Sequence, residues 1–116
     1  MEIKSEKQGS AFVVAVRGRM DRVSALEFDR AFTGWLQGGE SLFVVDMDGL
    51  EYISSAGLRS LLAANQQLQG RGQIRLCNVN GLVREVFAVS GFESLFTVYP
   101  DLAAALKSPA PGADPA

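Results

Sequence analysis

Residues 42–62 are Leu-Phe-Val-Val-Asp-Met-Asp-Gly-Leu-Glu-Tyr-Ile-Ser-Ser-Ala-Gly-Leu-Arg-Ser-Leu-Leu, and within this stretch the spacing of the apolar residues changes. The continuous apolar run from Leu42 to Val45 is typical of a strand that is buried on both faces. Beyond residue 57 the apolar residues fall at helical spacing, at Leu58, Leu61, Leu62 and Leu68. The stretch therefore predicts a buried strand, a short acidic segment, and a helix that packs these leucines inward.

Two serines, Ser54 and Ser55, stand where this helix begins. Serine is a favoured N-cap, because its hydroxyl accepts a hydrogen bond from a backbone N–H of the first turn. A helix N-terminus also stabilises negative charge, including that of a phosphate. Two interpretations are open at this point: both serines only cap the helix, or one of them exposes a hydroxyl that accepts or binds a phosphate.

Strands and helices alternate along the rest of the chain. A hairpin joins residues 2–7 to Ala11–Arg17, and the next helix fits a capping box formed by Ser24 and Glu27. This alternation predicts a single α/β domain over residues 1–107, with a mixed four- to five-stranded sheet flanked by about four helices. Residues 108–116 are rich in proline and alanine and predict a flexible tail.

The composition excludes several classes of function. The chain of 116 residues has a net charge of −2, which gives no electrostatic footprint for direct binding of nucleic acid. It has no apolar run near the roughly 18 residues that cross a bilayer and no signal-peptide segment, so we expect a cytoplasmic protein without membrane contact. Cys77 lies in an apolar strand, which predicts a buried and unreactive thiol.

The absence of histidine argues against an enzyme. Serine–histidine catalysis and histidine metal sites are excluded, and no Walker loop is present to bind ATP. A hydrolase that uses Ser55 lacks a base, so we predict no catalytic residue, no metal and no cofactor. Asp21, Asp46 and Asp48 are expected near Ser55, where carboxylates could suggest Mg²⁺ or acid–base chemistry. Except for Asp21, we interpret them as caps and turn residues.

Residues 52–62, with Val44–Asp48 before them, resemble the signature of STAS domains, and more narrowly that of the bacterial anti-sigma factor antagonists. Three further stretches match in the family's order. They are Val16-Arg-Gly-Arg-Met-Asp21, Ile74-Arg-Leu-Cys-Asn-Val79 and Val86-Phe-Ala-Val-Ser-Gly-Phe92. Together the matches cover residues 1 to about 107.

The resemblance implies phosphorylation of Ser55 by a partner kinase. The family often has Asp and Ser where Ser54 and Ala56 stand here, so Ser54 remains the alternative phosphorylated residue. The resemblance also implies partner-binding roles for Asp21, Ser54, Ala56, Gly57 and Arg59. For Arg59, a solvent-exposed helix face is an equally good interpretation.

The same resemblance implies a partner-switching cycle. The unphosphorylated protein would bind an anti-sigma factor that is also a serine-protein kinase with bound ATP, and so free a sigma factor or another output protein. Phosphorylation would release the kinase, and a serine phosphatase would reset the protein. The alternative function is that of a STAS-domain subunit of a lipid or anion transporter.

Overall fold

This computed structural model describes residues 1–108; the predicted tail, apart from Ser108, lies outside them. The elements are β1 (Glu2–Gln8), β2 (Ala11–Met20), α1 (Arg22–Gln37), β3 (Leu42–Ile53), α2 (Ser55–Leu68), β4 (Gln73–Cys77), α3 (Gly81–Ser90), a 3₁₀ turn (Phe92–Ser94), β5 (Thr97–Tyr99) and α4 (Leu102–Lys107).

The five strands form one sheet in the order β1-β2-β3-β4-β5. β1 and β2 are an antiparallel hairpin, and all the other neighbours are parallel. Each parallel pair is joined by a helical crossover, and right-handed crossovers that advance in one direction across the sheet put their helices on one face. The predicted α/β class, with a mixed sheet and four helices, is confirmed.

The two faces of the sheet are covered unequally. Alternate residues of β3 belong to different cores, because successive side chains of a strand point to opposite faces. Phe43 and Val45 join the large core under α1, α2 and α3, whereas Leu42 and Val44 join a small core under α4. We call the face that carries α4 the open face. Near β1, the side chains on this face are mostly charged.

β3 is longer than the sequence predicts. The apolar run ends at Val45, but the strand continues to Ile53 and stays paired with β2 through two register shifts. Asp46 and Asp48 therefore lie inside a strand, and their interpretation as turn residues is wrong. The strand tolerates them because Asp46 is only half-buried and Asp48 is exposed.

The first helix begins earlier than the sequence predicts. Its N-cap is Asp21, and the capping box joins Asp21 to Ser24, so the predicted box of Ser24 with Glu27 is wrong. The reason is that β2 runs to Met20 and the chain turns into the helix at once. In α2, Leu58, Leu61 and Leu68 are buried as predicted, whereas Leu62 lies on the flank of that face and is only half-buried.

Among residues 1–108, no helix combines the length and the apolar character that are needed to cross a membrane.

Candidate functional site

The site lies where β2 and β3 end side by side. Met20 and Ile53, the last residues of these parallel strands, are register partners. Just beyond them, the backbone N–H of Ser54 donates to the carbonyl oxygen of Met20 at 2.9 Å. This bond links the start of α2 to the end of β2, and it brings Asp21 and the two serines to one edge of the sheet, as the sequence predicts.

The two serines differ in what their hydroxyl groups contact. Ser54 is the N-cap of α2, and its Oγ accepts a hydrogen bond from the backbone N–H of Gly57 at 3.2 Å. Ser55 is the first residue of the helix and is exposed. Within the described residues its hydroxyl makes no hydrogen bond to another group. Ser54 thus has a structural role, and Ser55 offers a free hydroxyl at a helix N-terminus.

The side chain of Asp21, at the same edge of the sheet, is hydrogen-bonded to Ser24. One carboxylate oxygen of Asp21 accepts from the Ser24 backbone N–H at 2.9 Å and lies 2.8 Å from the Ser24 hydroxyl, which is also 2.9 Å from the Arg19 carbonyl oxygen. The backbone and hydroxyl hydrogen bonds from Ser24 lower the pKa of Asp21 below its usual value. Asp21 is exposed, and it contributes a fixed negative charge at neutral pH.

Gly57 is required by close packing at the start of α2. A Cβ added to this residue would lie 2.7 Å from Cγ1 of Ile53 and 3.0 Å from Cγ of Met20. Both distances are shorter than ordinary carbon contacts, so the start of α2 packs directly against the ends of β2 and β3. Ala56, next to it, is half-buried against the large core. Gly57 therefore positions the site, and its own surface is buried.

A groove between α1 and α2 adjoins the serines. Its lining includes Arg22 and Leu26 from α1, with Ala56 and Arg59 from α2. The side chain of Arg59 is exposed, and within the described chain it forms no ion pair. Of the predicted partner-binding residues, Ala56 and Arg59 thus line one groove beside Ser55.

Sequence reasoning missed the α1 side of this groove. Val23 and Leu26 are 69% and 54% exposed, although apolar residues of a surface helix usually face the core. A signal was available, because both residues lie off the stripe that Phe28 and Phe32 define. Leu26 lines the groove, and Val23 lies three residues before it on the same helix.

A cation–π contact flanks the site on the strand side and was also missed. The guanidinium of Arg19 lies 4.2 Å from the ring centroid of Tyr52, and the two residues are register partners on β2 and β3. This contact fixes an exposed positive charge near the strand ends. Cross-strand register, which the sequence alone does not give, was needed to find it.

Asp46 and Asp48 do not belong to the site. Asp46 accepts from the Asn78 side chain at 2.9 Å and from the Asp48 backbone N–H at 3.1 Å, in the middle of the sheet. Both aspartates line a shallow pocket on the open face, together with Lys4 and Arg17. The expectation that they lie near Ser55 is wrong, because the long β3 carries them away from the start of α2.

The arrangement suits phosphate transfer to Ser55 by another protein. A free hydroxyl stands at the positive end of a helix, where a phosphate is stabilised. Among residues 1–108 no group of His, Cys, Asp and Glu side chains has the geometry to hold a metal ion. The features at this edge are an exposed hydroxyl and an adjoining groove.

Comparison with known proteins gives consistent matches. The family model described as STAS domain matches residues 2–105. BtrV of Bordetella bronchiseptica, named as a candidate anti-sigma factor antagonist, is 36% identical over 99 residues, which cover 84% of this chain and 85% of the relative. The structure of an anti-sigma factor antagonist from Mycobacterium paratuberculosis has a TM-score of 0.83 at 25% identity, and 90% of each chain is covered.

The Bacillus protein SpoIIAA, an anti-sigma factor antagonist, has been solved in two forms. The unphosphorylated form matches with a TM-score of 0.70 at 17% identity and covers 90% of this chain and 94% of its own. The phosphorylated form matches with a TM-score of 0.68 at 20% identity, with coverage of 89% and 96%. At these identities the likeness supports the fold alone.

Proposed function

The chain belongs to the STAS domain family, and from this premise we propose that it is an anti-sigma factor antagonist that is switched off by phosphorylation of Ser55. BtrV and the Mycobacterium protein are named as anti-sigma factor antagonists, and SpoIIAA has been solved in phosphorylated and unphosphorylated forms. The observation that carries the proposal is the free, exposed hydroxyl of Ser55 at the start of α2. The proposed use of ATP by its partner assigns its action to the cytoplasm.

The choice of Ser55 over Ser54 is supported by their hydrogen bonds. The Ser54 hydroxyl accepts from Gly57, and the Ser54 backbone N–H is bound to Met20. Phosphorylating Ser54 would disturb the cap that begins the helix. Phosphorylating Ser55 would disturb no side-chain hydrogen bond of the described chain.

The proposed partner is an anti-sigma factor that is also a serine kinase with bound ATP. It would contact the groove between α1 and α2, where Leu26 gives apolar contact and Arg22 and Arg59 give positive charge. Binding would free a sigma factor or another output protein from the kinase. A serine phosphatase would then remove the phosphate and return the protein to its binding form.

Two opposing effects of a phosphate decide the direction of the switch. A phosphate adds about −1.5 to −2 charges at neutral pH. Within the domain the helix N-terminus stabilises such a charge by roughly 0.3–1 kcal/mol, so the fold should change little. In the complex the same charge must be desolvated beside ionised Asp21. Arg22 and Arg59 line the adjoining groove, but removing an ion from water costs several kcal/mol, which such pairing repays only with excellent geometry. The loss at the interface exceeds the gain within the domain, so phosphorylation should weaken binding on the order of 100-fold or more.

The test is calorimetric titration of wild type, Ser55→Ala and Ser55→Asp against candidate serine kinases of the same genome, with intact mass measured after addition of ATP. We expect wild type and Ser55→Ala to bind equally, Ser55→Asp to bind much more weakly, and only wild type to gain one phosphate and dissociate. Ser54→Ala is the matched control and should still be phosphorylated. A phosphate gained by Ser55→Ala but not by Ser54→Ala would show that the switch is Ser54. Equal binding of wild type and its fully phosphorylated form would refute the charge switch.

A further inference from the structure

We propose that β1 pairs, antiparallel, with the β1 of a second copy of this chain, so that two sheets join into one continuous sheet across a two-fold axis at Ser5. This inference is independent of the phosphorylation of Ser55. It rests on the position of β1 at the edge of the sheet formed by the described residues and on the order of charges along that strand.

The edge strand is suited to pairing. β1 is outermost in the sheet, and its seven residues keep an unbroken register with β2 from Glu2 opposite Arg17 to Gln8 opposite Ala11. It contains no proline, and five of its residues are exposed. A long regular edge strand presents unpaired N–H and C=O groups, which are a template for another strand.

The charges of β1 select one register. Glu2, Lys4 and Glu6 are register partners of alternate β2 residues, so they share the open face of the sheet. If the two-fold axis passes through Ser5, all seven residues pair, and Lys4 lies opposite Glu6 of the second copy. Because the pairing is symmetric, this favourable contact occurs twice. Opposite charges at directly facing positions stabilise a sheet, and like charges destabilise it.

The neighbouring symmetric registers are unfavourable. An axis through Lys4 would place Lys4 opposite Lys4 of the second copy, and Glu2 opposite Glu6. An axis through Glu6 would place the two Glu6 side chains opposite each other. Both registers also pair fewer residues of the strand. Charged residues on an edge strand can also serve to prevent pairing. That role would not require Lys4 and Glu6 to be complementary across an axis at Ser5.

The helices leave room for this arrangement. α1 lies over β2 and β3, where Trp35 packs on Phe12 and Phe32 on Phe43, with ring centroids 5.1 and 4.6 Å apart. In the joined sheet the two β2 strands would be three strand spacings apart, or roughly 14 Å. Packed helices need only about 8–10 Å between their axes. The two α1 helices would therefore not collide.

A charge-reversal series tests the pairing by sedimentation velocity from micromolar to near-millimolar concentration. Wild type should dimerise, and Lys4→Glu or Glu6→Lys alone should weaken dimerisation roughly tenfold or more, because two attractive contacts become two repulsive ones. The double variant Lys4→Glu/Glu6→Lys should restore it. Both substituted residues are exposed, so circular dichroism should show an unchanged fold for all three variants.

Cysteine cross-linking then checks the register. Ser5→Cys places two thiols at the axis, with Cβ atoms about 4.5–5.5 Å apart, close to disulfide range. Glu2→Cys lies on the same strand, but its thiol would be far from the equivalent thiol of the second copy. This variant is therefore the matched control. The buried Cys77 should not react in either variant. We expect mild oxidation to link Ser5→Cys only. A monomer at every concentration, a double variant as weak as the single ones, or equal linking of both cysteine variants would overturn the proposal.

Discussion

At the scale of single residues, Ser54 and Ser55 are neighbours with separate tasks. The sequence predicts that a serine caps this helix and leaves open whether a second hydroxyl is exposed, because either serine can adopt the N-cap conformation. The extended backbone of Ser54 and its bond to Gly57 make it the cap. Resemblance to a family suggested Ser55 for phosphorylation, and hydrogen-bond geometry supplies a physical reason for that choice.

Alanine substitutions should separate the two roles. Ser54→Ala removes the cap and should lower the free energy of unfolding by about 1 kcal/mol. Ser55→Ala removes a hydroxyl without a partner in the described chain and should change it by less than about 0.5 kcal/mol. Urea denaturation of both variants measures the difference. Equal losses would mean that the Ser54 hydroxyl does not stabilise the helix.

Cys77 should be unreactive in the folded protein. It is fully buried, and burial raises the pKa of its thiol to about 12, with the nearby carboxylate of Asp46 adding to the effect. Only the thiolate reacts, so labelling by a thiol reagent should be negligible at pH 8 and rapid once the protein is unfolded in urea. Fast labelling without denaturant would show that β4 opens.

At the scale of elements, the sequence predicts types well and boundaries poorly. The helical spacing of Leu58, Leu61 and Leu68 identifies the buried face of α2, because a core needs a contiguous apolar stripe. The length of β3 was missed, since its second half is polar and its pairing with β2 depends on distant residues. The cap of α1 was missed because Ser24 suits both the N-cap and the third helical position.

Two neighbouring leucines test the buried face of α2. Leu61 is 0% exposed, so Leu61→Ala should lower the free energy of unfolding by about 2–5 kcal/mol. Leu62→Ala is a matched control that removes the same atoms from a half-buried position, and its loss should be clearly smaller. Chemical denaturation gives both values. A larger loss for Leu62→Ala would place the other face inward.

At the scale of the whole molecule, one buried arginine ties α4 to the open face. Arg75 on β4 is 2% exposed, and its guanidinium donates to the carbonyl oxygens of Ala105 and Ser108 at 2.8 and 3.0 Å. These carbonyls belong to the end of α4, where a positive charge is favourable. The sequence predicts the helix but not this contact, because it joins residues that are distant along the chain.

Replacing Arg75 should loosen α4. Arg75→Met keeps most of the aliphatic stem but leaves buried carbonyl groups without that donor, which should cost about 1–3 kcal/mol of unfolding free energy. Arg71→Met, at an exposed position, is the control and should have little effect. Thermal and urea denaturation measure both variants. If the two variants were equally stable, α4 would be held by its apolar contacts alone.

The close fit of Gly57 against Ile53 and Met20 has a consequence for the kinetics of partner exchange. The segment that carries Ser55 is already fixed to the strand ends before any partner arrives. Encounter with the proposed kinase would need no preceding ordering step, so its association rate should fall in the range of rigid docking, about 10⁵–10⁷ M⁻¹ s⁻¹. Phosphorylation would then act mainly by shortening the lifetime of the complex.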